Sequence, residues 1–163
     1  MYKITNFNGG KTVKANTDNC LPVFDPSIGE QIGEVVNTDK KEFDSIVKSS
    51  VVSQREWALF TPLKRSRILS KYKSILEKNV DALAKIISTE HGKTIEDAKG
   101  SLTRGIEVVE FSCGIPHLLK GEFSNNVGTN IDSWTLKQPL GVCAGITPFN
   151  FPAMVPMWMF PMA

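Results

Sequence analysis

The sequence lacks the features that are typical of nucleic-acid-binding, metal-binding and secreted proteins. Nineteen basic and seventeen acidic residues leave a formal net charge of +2, which gives no reason to expect a nucleic-acid partner. The three cysteines are an odd number without metal-ligand spacing, so we predict no metal site and favour a reducing compartment. The first residues lack the apolar segment of a signal peptide, and we therefore expect a cytoplasmic protein.

Charge is missing altogether from residues 138–163. A stretch of that length could span a bilayer, but it carries five prolines, and each removes a backbone donor and interrupts a helix. We expect no membrane partner and predict a buried strand, Leu140–Ile146, a tight loop, Thr147–Asn150, and the start of a buried helix. Because such an apolar end needs something to pack against, we expect the chain to be a fragment of a larger protein.

What the sequence does contain is the composition of an ordinary globular protein, 41% apolar and 22% charged. Between residues 38 and 114 the apolar side chains recur at helical spacing, with capping residues at the ends. We predict four helices: one capped by Thr38, one after Thr61 with Pro62 in its first turn, one from Val80 to Gly92, and one from Thr94 to about Gly114.

Two pairs of strands flank the predicted helices. Leu21–Asp25 and Glu30–Val36 are separated by a Pro-Ser-Ile-Gly turn and predict a hairpin. Glu122–Asn126 and Ile131–Lys137 alternate polar and apolar residues around a Gly-Thr-Asn turn. They predict an exposed antiparallel ribbon, which is marginal alone and needs partners.

The fourth predicted helix places Arg104 between two apolar faces. The main face consists of Ile95, Ala98, Leu102, Ile106 and Val109. Val108 and Phe111 form a second face, so we expect this end of the helix to be buried. Arg104 either pairs with Glu107, three residues on, or is held partly buried to meet an anion, because its planar fork suits carboxylates.

Asn150 is the strongest candidate for a catalytic group. It follows an apolar strand and a proline-rigidified loop, which is how an open α/β sheet presents groups at the carboxyl end of a strand. There its amide could donate to a developing oxyanion. The alternative is a turn asparagine that bonds its own backbone.

The other candidate groups have simpler interpretations. Cys143 lies in the apolar strand without a basic neighbour, so we predict a buried, inert thiol, and the same for Cys20 and Cys113. His91 falls at a helix end, where an imidazole commonly serves as a cap. The Met-Trp-Met-Phe cluster at residues 157–160 is typical of core packing. The glycine-rich nucleotide-binding motifs are absent from the sequence.

The apolar end also carries a family resemblance. Ile-Thr-Pro-Phe-Asn-Phe-Pro, at residues 146–152, resembles the aldehyde dehydrogenase superfamily. The continuation Ala-Met-Val-Pro-Met-Trp-Met-Phe-Pro-Met-Ala and the segment Arg104–Gly114 are similar to its CoA-acylating methylmalonate-semialdehyde branch. Phe24–Glu30 is similar to the opening strands of the superfamily. The resemblance covers essentially the whole chain, but only the front part of a family member.

The resemblance implies a truncated α/β fold with three parts. Residues 1–121 would form the N-terminal strand and helical part of the cofactor-binding domain. Residues 122–138 would be bridging or oligomerisation strands. Residues 139–163 would be the first strand, loop and helix start of a Rossmann-type NAD-binding core. A full-length member would be a homodimer or homotetramer.

The resemblance also assigns residues and a reaction. Thr147, Pro148 and Phe149 match cofactor-binding positions for NAD, Asn150 matches the oxyanion-hole amide, and Arg104 matches a residue that binds the substrate carboxylate. In the family a cysteine thiolate attacks the semialdehyde, a hydride passes to NAD, carbon dioxide is lost, and coenzyme A takes the acyl group. The nucleophilic cysteine would lie beyond residue 163, so we predict an inactive fragment. The alternatives are a fragment of a non-acylating aldehyde dehydrogenase and a non-catalytic remnant that binds a full-length relative.

Overall fold

Four long helices occupy residues 40–112 of the computed structural model, which describes residues 1–14 and 17–163. They are α1 (Lys40–Ala58), α2 (Pro62–Lys78), α3 (Val80–His91) and α4 (Ile95–Ser112). The prediction of four helices in this region is therefore confirmed. The fourth ends two residues earlier than expected, at Ser112.

Three of the helix ends form at the predicted capping residues. The Thr61 hydroxyl accepts a hydrogen bond from the Lys64 N–H, and the Thr94 hydroxyl accepts one from the Asp97 N–H, both at 3.2 Å. Gly92 ends α3 in the left-handed conformation with a φ of 82°, which glycine adopts at little cost. These caps satisfy backbone groups that the helix itself leaves unpaired.

The predicted cap of α1 is wrong by one residue. Asp39 caps the helix, because its carboxylate accepts a hydrogen bond from the Glu42 N–H at 2.7 Å. The Thr38 hydroxyl instead bonds the side chain of Asn6, from a segment that is distant in sequence. Threonine and aspartate both suit the N-cap position. Because the Thr38 side chain is hydrogen-bonded to Asn6, the Asp39 side chain caps the helix instead.

The core lies where α2, α3 and α4 meet a short final helix, α6 (Met154–Met159). On α4, Ala98, Leu102 and Val109 are fully buried, as predicted for its main apolar face. The other buried members of the core are Leu76, Ala84, Ile87, Ile106 and Met157. Helix packing around one apolar stripe thus accounts for the stable centre of the chain.

The N-terminal strands form two small sheets. They are β1 (Tyr2–Ile4), β2 (Phe7–Asn8), β3 (Lys11–Thr12), β4 (Cys20–Phe24) and β5 (Gln31–Val36). β4 and β5 pair antiparallel, which confirms the predicted hairpin. β1 joins the other edge of β5 in parallel, so the order is β1-β5-β4, and β2 pairs with β3.

The predicted ribbon also forms, after a short helix α5 (Ile115–Leu118) that the sequence did not suggest. Its strands are β6 (Phe123–Gly128) and β7 (Ile131–Trp134), which pair antiparallel with Phe123 opposite Trp134. Both of these aromatic side chains are about two-thirds exposed, at 66% and 68%. The apolar side chains of the ribbon therefore have no cover from the rest of the described chain.

The buried strand predicted at Leu140–Ile146 is wrong. These residues form no regular structure, and Leu140 and Ile146 are 94% and 97% exposed. A strand is stabilised by hydrogen bonds to a neighbour, and no strand of the described residues pairs with this segment. The helix start that follows is confirmed as α6. No helix among the described residues is both long and apolar enough to cross a membrane.

Candidate functional site

Arg104 lies beside the loop of residues 147–153, which contains the other predicted site residues and leads into α6. α6 packs closely on α4 because Gly105 has no side chain: a Cβ there would lie 3.3 Å from the Met154 Cα atom. The Trp158 indole N–H donates to the Arg104 carbonyl at 3.3 Å and joins the two helices again. The loop before α6 is thereby brought beside Arg104.

Arg104 is more exposed than the sequence predicted. Its guanidinium lies 5.7 Å from the centre of the Phe151 ring and makes only a long contact, 3.5 Å, with the Ser101 hydroxyl. None of the ion pairs found among the described residues joins it to Glu107. The second apolar face is not buried either, since Phe111 is 58% exposed. Val108, the other residue of that face, is half-buried.

Of the four loop residues expected to act on cofactor and substrate, three are open to solvent. Thr147 is half-buried, whereas Pro148, Phe149 and Asn150 are exposed. In the described part of the chain the Asn150 carboxamide makes no hydrogen bond, so the self-bonded turn considered above does not form. Its donor is therefore available to another group.

His91, which was expected to cap its helix, and Lys93 also lie in this region. The ring of His91 lies 6.0 Å from that of Phe149, measured between centroids. The Lys93 ammonium lies 4.4 Å from the centre of the Phe151 ring and 3.0 Å from the Asp97 carboxylate. His91 does not cap its helix as expected, because its Nδ1 atom is buried without a hydrogen-bond partner among the described residues. No sequence signal links the 91–93 turn to the 149–151 loop.

The three cysteines differ in their exposure to solvent. Cys143 is exposed, which corrects the prediction of a buried thiol, because the strand that would have buried it does not form. Cys20 and Cys113 are half-buried. Burial raises the pKa of the Cys113 thiol, and the Glu110 carboxylate raises it further. A raised thiol pKa lowers the fraction of reactive thiolate at neutral pH.

In the described chain, neither a group of metal-ligating side chains nor the cleft beside α2 contributes to this region. Within residues 1–14 and 17–163 no group of three or more histidine, cysteine or acidic side chains is placed to hold a metal ion. A cleft of about 440 Å³ lies between α2 and the last residues of the chain. Arg65, Trp57 and Phe160 are among its lining residues, and it includes none of the predicted site residues.

Comparison with known proteins decides the family. Residues 12–163 match the model of the aldehyde dehydrogenase family. The chain belongs to this family. The predicted aldehyde dehydrogenase-like α/β fold is therefore confirmed, whereas its division at residues 121 and 138 stays a prediction.

The relatives indicate the branch. The chain is 50% identical over 91% of its length to malonate-semialdehyde dehydrogenase of Pseudomonas aeruginosa, of which it covers 30%. It is 41% identical over 96% of its length to the human acylating, mitochondrial methylmalonate-semialdehyde/malonate-semialdehyde dehydrogenase, of which it covers 29%. A Sinorhizobium meliloti structure in complex with NAD superposes with a TM-score of 0.94 at 44% identity, over 99% of this chain and 33% of that one. The chain thus spans about a third of the relatives it matches.

Proposed function

We propose that this chain is the front third of an NAD-dependent, CoA-acylating dehydrogenase of malonate or methylmalonate semialdehyde. The complete enzyme would oxidise and decarboxylate the semialdehyde to acetyl-CoA or propionyl-CoA. The similarity to two relatives that are named as dehydrogenases of these semialdehydes supports the substrate class. The human relative is named as an acylating enzyme, which supports coenzyme A as a co-substrate. The similarity to a structure that holds NAD supports the cofactor.

One observation carries the proposal: the positive charge of Arg104 lies beside the loop that holds Asn150. The two are linked through Phe151, which follows Asn150 directly and lies 5.7 Å from the guanidinium. A semialdehyde of this class carries a carboxylate and an aldehyde on the same carbon, so it needs a cation close to an oxyanion donor. Arg104 would bind the carboxylate, and the Asn150 amide would donate to the aldehyde oxygen as negative charge develops there.

The residues expected to bind NAD fit a planar cofactor in one respect. Phe149 leaves more than half of its surface exposed, at 58%, and an open aromatic face suits contact with another ring. Thr147 and Pro148 precede it, and we assign all three to the cofactor site. When bound, NAD supplies the hydride acceptor, while the chain's own residues orient the substrate. The nucleophilic cysteine would come from outside residues 1–163.

Self-association would use the ribbon of β6 and β7. Its exposed Phe123 and Trp134 are the kind of aromatic residues that anchor interfaces, and its strand edges offer unpaired backbone groups. We propose that the complete enzyme is a homodimer or homotetramer on this basis. The proposed location is the cytoplasm, although the human relative is mitochondrial by name.

The test uses a completed enzyme, meaning residues 1–163 joined to the remaining two thirds of the Sinorhizobium meliloti relative. We expect it to reduce NAD with malonate or methylmalonate semialdehyde and to form the acyl-CoA product only when coenzyme A is present. Residues 1–163 alone should give no turnover. Oxidation to the free acid, independent of coenzyme A, would favour the non-acylating alternative. No oxidation at all would favour the non-catalytic remnant.

Arg104→Leu tests the carboxylate-binding role in the completed enzyme. Losing a hydrogen bond to a charged group costs about 1.5–3 kcal/mol, so kcat/KM for methylmalonate semialdehyde should fall roughly ten- to a hundredfold. The loss should be small for propanal, which has no carboxylate. Arg104→Lys should recover only part of the activity, because a point charge lacks the planar fork. Equal losses for both aldehydes would show that Arg104 acts only structurally.

A further inference from the structure

The turn between α3 and α4, His91–Lys93, is fixed on both of its sides. The Gly92 N–H donates to the Ser88 carbonyl, and the Ser88 hydroxyl donates to the Lys93 carbonyl, both at 2.8 Å. A Cβ on Gly92 would lie 2.8 Å from the Pro26 ring, so the turn also packs against the loop between β4 and β5. This part of the chain therefore has little freedom to move.

The two side chains of the turn contact the aromatic residues on either side of Asn150. His91 packs on Phe149, with their ring planes inclined at 40°. Lys93 places its ammonium 4.4 Å from the centre of the Phe151 ring, within the range of a cation–π contact. The backbone of Asn150 is thus bracketed by two contacts that come from one rigid turn.

Ordinary core packing does not explain these contacts. Phe149 stays largely exposed although His91 lies against it. The Lys93 side chain is only 8% exposed, which is rare for lysine, and burial strengthens the attraction between a cation and a ring. Its partner Asp97 remains 54% exposed and could be solvated by water instead. The buried ammonium thus pairs with Asp97 at 3.0 Å and also lies 4.4 Å from the centre of the Phe151 ring.

Asn150 needs such support because nothing else in the described chain holds its carboxamide. A donor to an oxyanion stabilises charge best when it is oriented before the reaction begins. We propose that His91 and Lys93 are positioning residues for Asn150. By fixing the rings of Phe149 and Phe151, they fix the backbone between them and with it the direction of the amide. This inference rests on the proposed function, in which Asn150 is the oxyanion donor.

The first variant is Lys93→Met in the completed enzyme, which keeps most of the length of the side chain and removes its charge. We expect kcat to fall about tenfold, the size of a desolvated cation–π contact, with the KM for NAD unchanged. Lys93→Arg should recover most of this loss, because it restores a cation over the ring. The matched control is Lys99→Met on α4. Lys99 also pairs with an aspartate, Asp81, but no aromatic ring of the described residues lies under it, so kcat should not change.

The deciding measurement repeats Lys93→Met in an Asn150→Ala background. If Lys93 acts through Asn150, kcat should then fall by less than about twofold. A tenfold loss in both backgrounds, or an arginine variant as impaired as the methionine variant, would overturn the proposal. If Lys93→Met fails to fold, His91→Ala gives the same comparison, and independent losses would again overturn it. Asn150→Ala with unchanged kcat would instead contradict the proposed function itself.

Discussion

Two segments of the chain, residues 62–112 and residues 121–146, contain similar proportions of apolar residues. They differ in how far those residues are buried. In the first segment the apolar stripes of α2, α3 and α4 face one another, and Ala98, Leu102 and Val109 are fully buried. In the second segment every large apolar residue is exposed. These are Phe123, Val127, Ile131, Trp134, Leu136, Leu140, Val142 and Ile146.

The difference follows from where each element finds its partners. A helix satisfies its backbone internally, and consecutive antiparallel helices bury their stripes against each other. A strand needs a neighbour for its backbone and a layer for its apolar face. The ribbon has only its own two strands, and residues 140–146 have no strand beside them. The second segment thus presents the surface that a larger assembly would cover.

The sharpest test of this contrast removes a leucine from each segment. Leu102→Ala should lower the free energy of unfolding by about 2–5 kcal/mol, because it leaves a cavity in the core. Leu140→Ala should change it by less than about 0.5 kcal/mol, because that side chain is almost fully exposed. Urea denaturation of residues 1–163, followed by circular dichroism, measures both. Equal losses would mean that residues 140–146 are packed in solution.

The next largest effect is expected at the contact of α4 with α6. Gly105→Ala should destabilise the chain by about 1–3 kcal/mol, because the added methyl group overlaps the Met157 side chain and crowds Met154. Gly100→Ala, on the same helix but facing open space, should stabilise it by about 0.5–1 kcal/mol through helix propensity. Thermal unfolding of the two variants compares them. A stabilising Gly105→Ala would show that α6 does not pack there.

A smaller effect is expected on self-association through the ribbon. Replacing Trp134 with serine should weaken association of the chain about tenfold, or about 1.4 kcal/mol, because an exposed aromatic anchor is lost. Phe43→Ser, which changes a similarly exposed ring on α1, is the control and should have little effect. Analytical ultracentrifugation over a range of concentrations gives both constants. Greater weakening by Phe43→Ser would place the interface on α1.

The smallest effect concerns the ion pair between α3 and α4. A hydrogen bond from the Lys99 ammonium to the Asp81 carboxylate, and the charge of that carboxylate, raise the Lys99 pKa above its ordinary value of 10.5. A raised lysine pKa stabilises the fold below pH 10.5, and this contribution is lost as the pH rises through the folded-state pKa. Stability measured from pH 9 to 12 should therefore fall less for Lys99→Met than for the unsubstituted chain. An identical decline would show that the pair contributes nothing, as for many exposed pairs.

Sequence alone predicted the elements whose signals are local. The caps at Thr61 and Thr94, the left-handed Gly92 and the stripe around Leu102 depend on residues within a few positions of one another. The cap of α1 was missed because Asn6 competes for Thr38. The strand at residues 140–146 was mispredicted because its apolar run says nothing of whether a partner strand is present.

The residues of the candidate site also include some that the sequence predicted and some that it could not predict. Asn150 and its neighbours were picked out by their order in the chain, and the family they indicated is confirmed. The meeting of His91 with Phe149 and of Lys93 with Phe151 could not be predicted, because more than fifty residues separate the partners. Such contacts arise only when α6 docks on α4, and nothing in the local pattern of either segment encodes the docking.

The glycine at position 105 also has a consequence for the order of events during synthesis. α2, α3 and α4 follow one another along the chain, so they can collapse as soon as they leave the ribosome. The bare surface around Gly105 must wait for Met154 and Met157. At the usual rate of translation that delay lasts about 2–8 s. For those seconds the apolar surface around Gly105 would stay open to solvent, and the docking of α6 would then bury it.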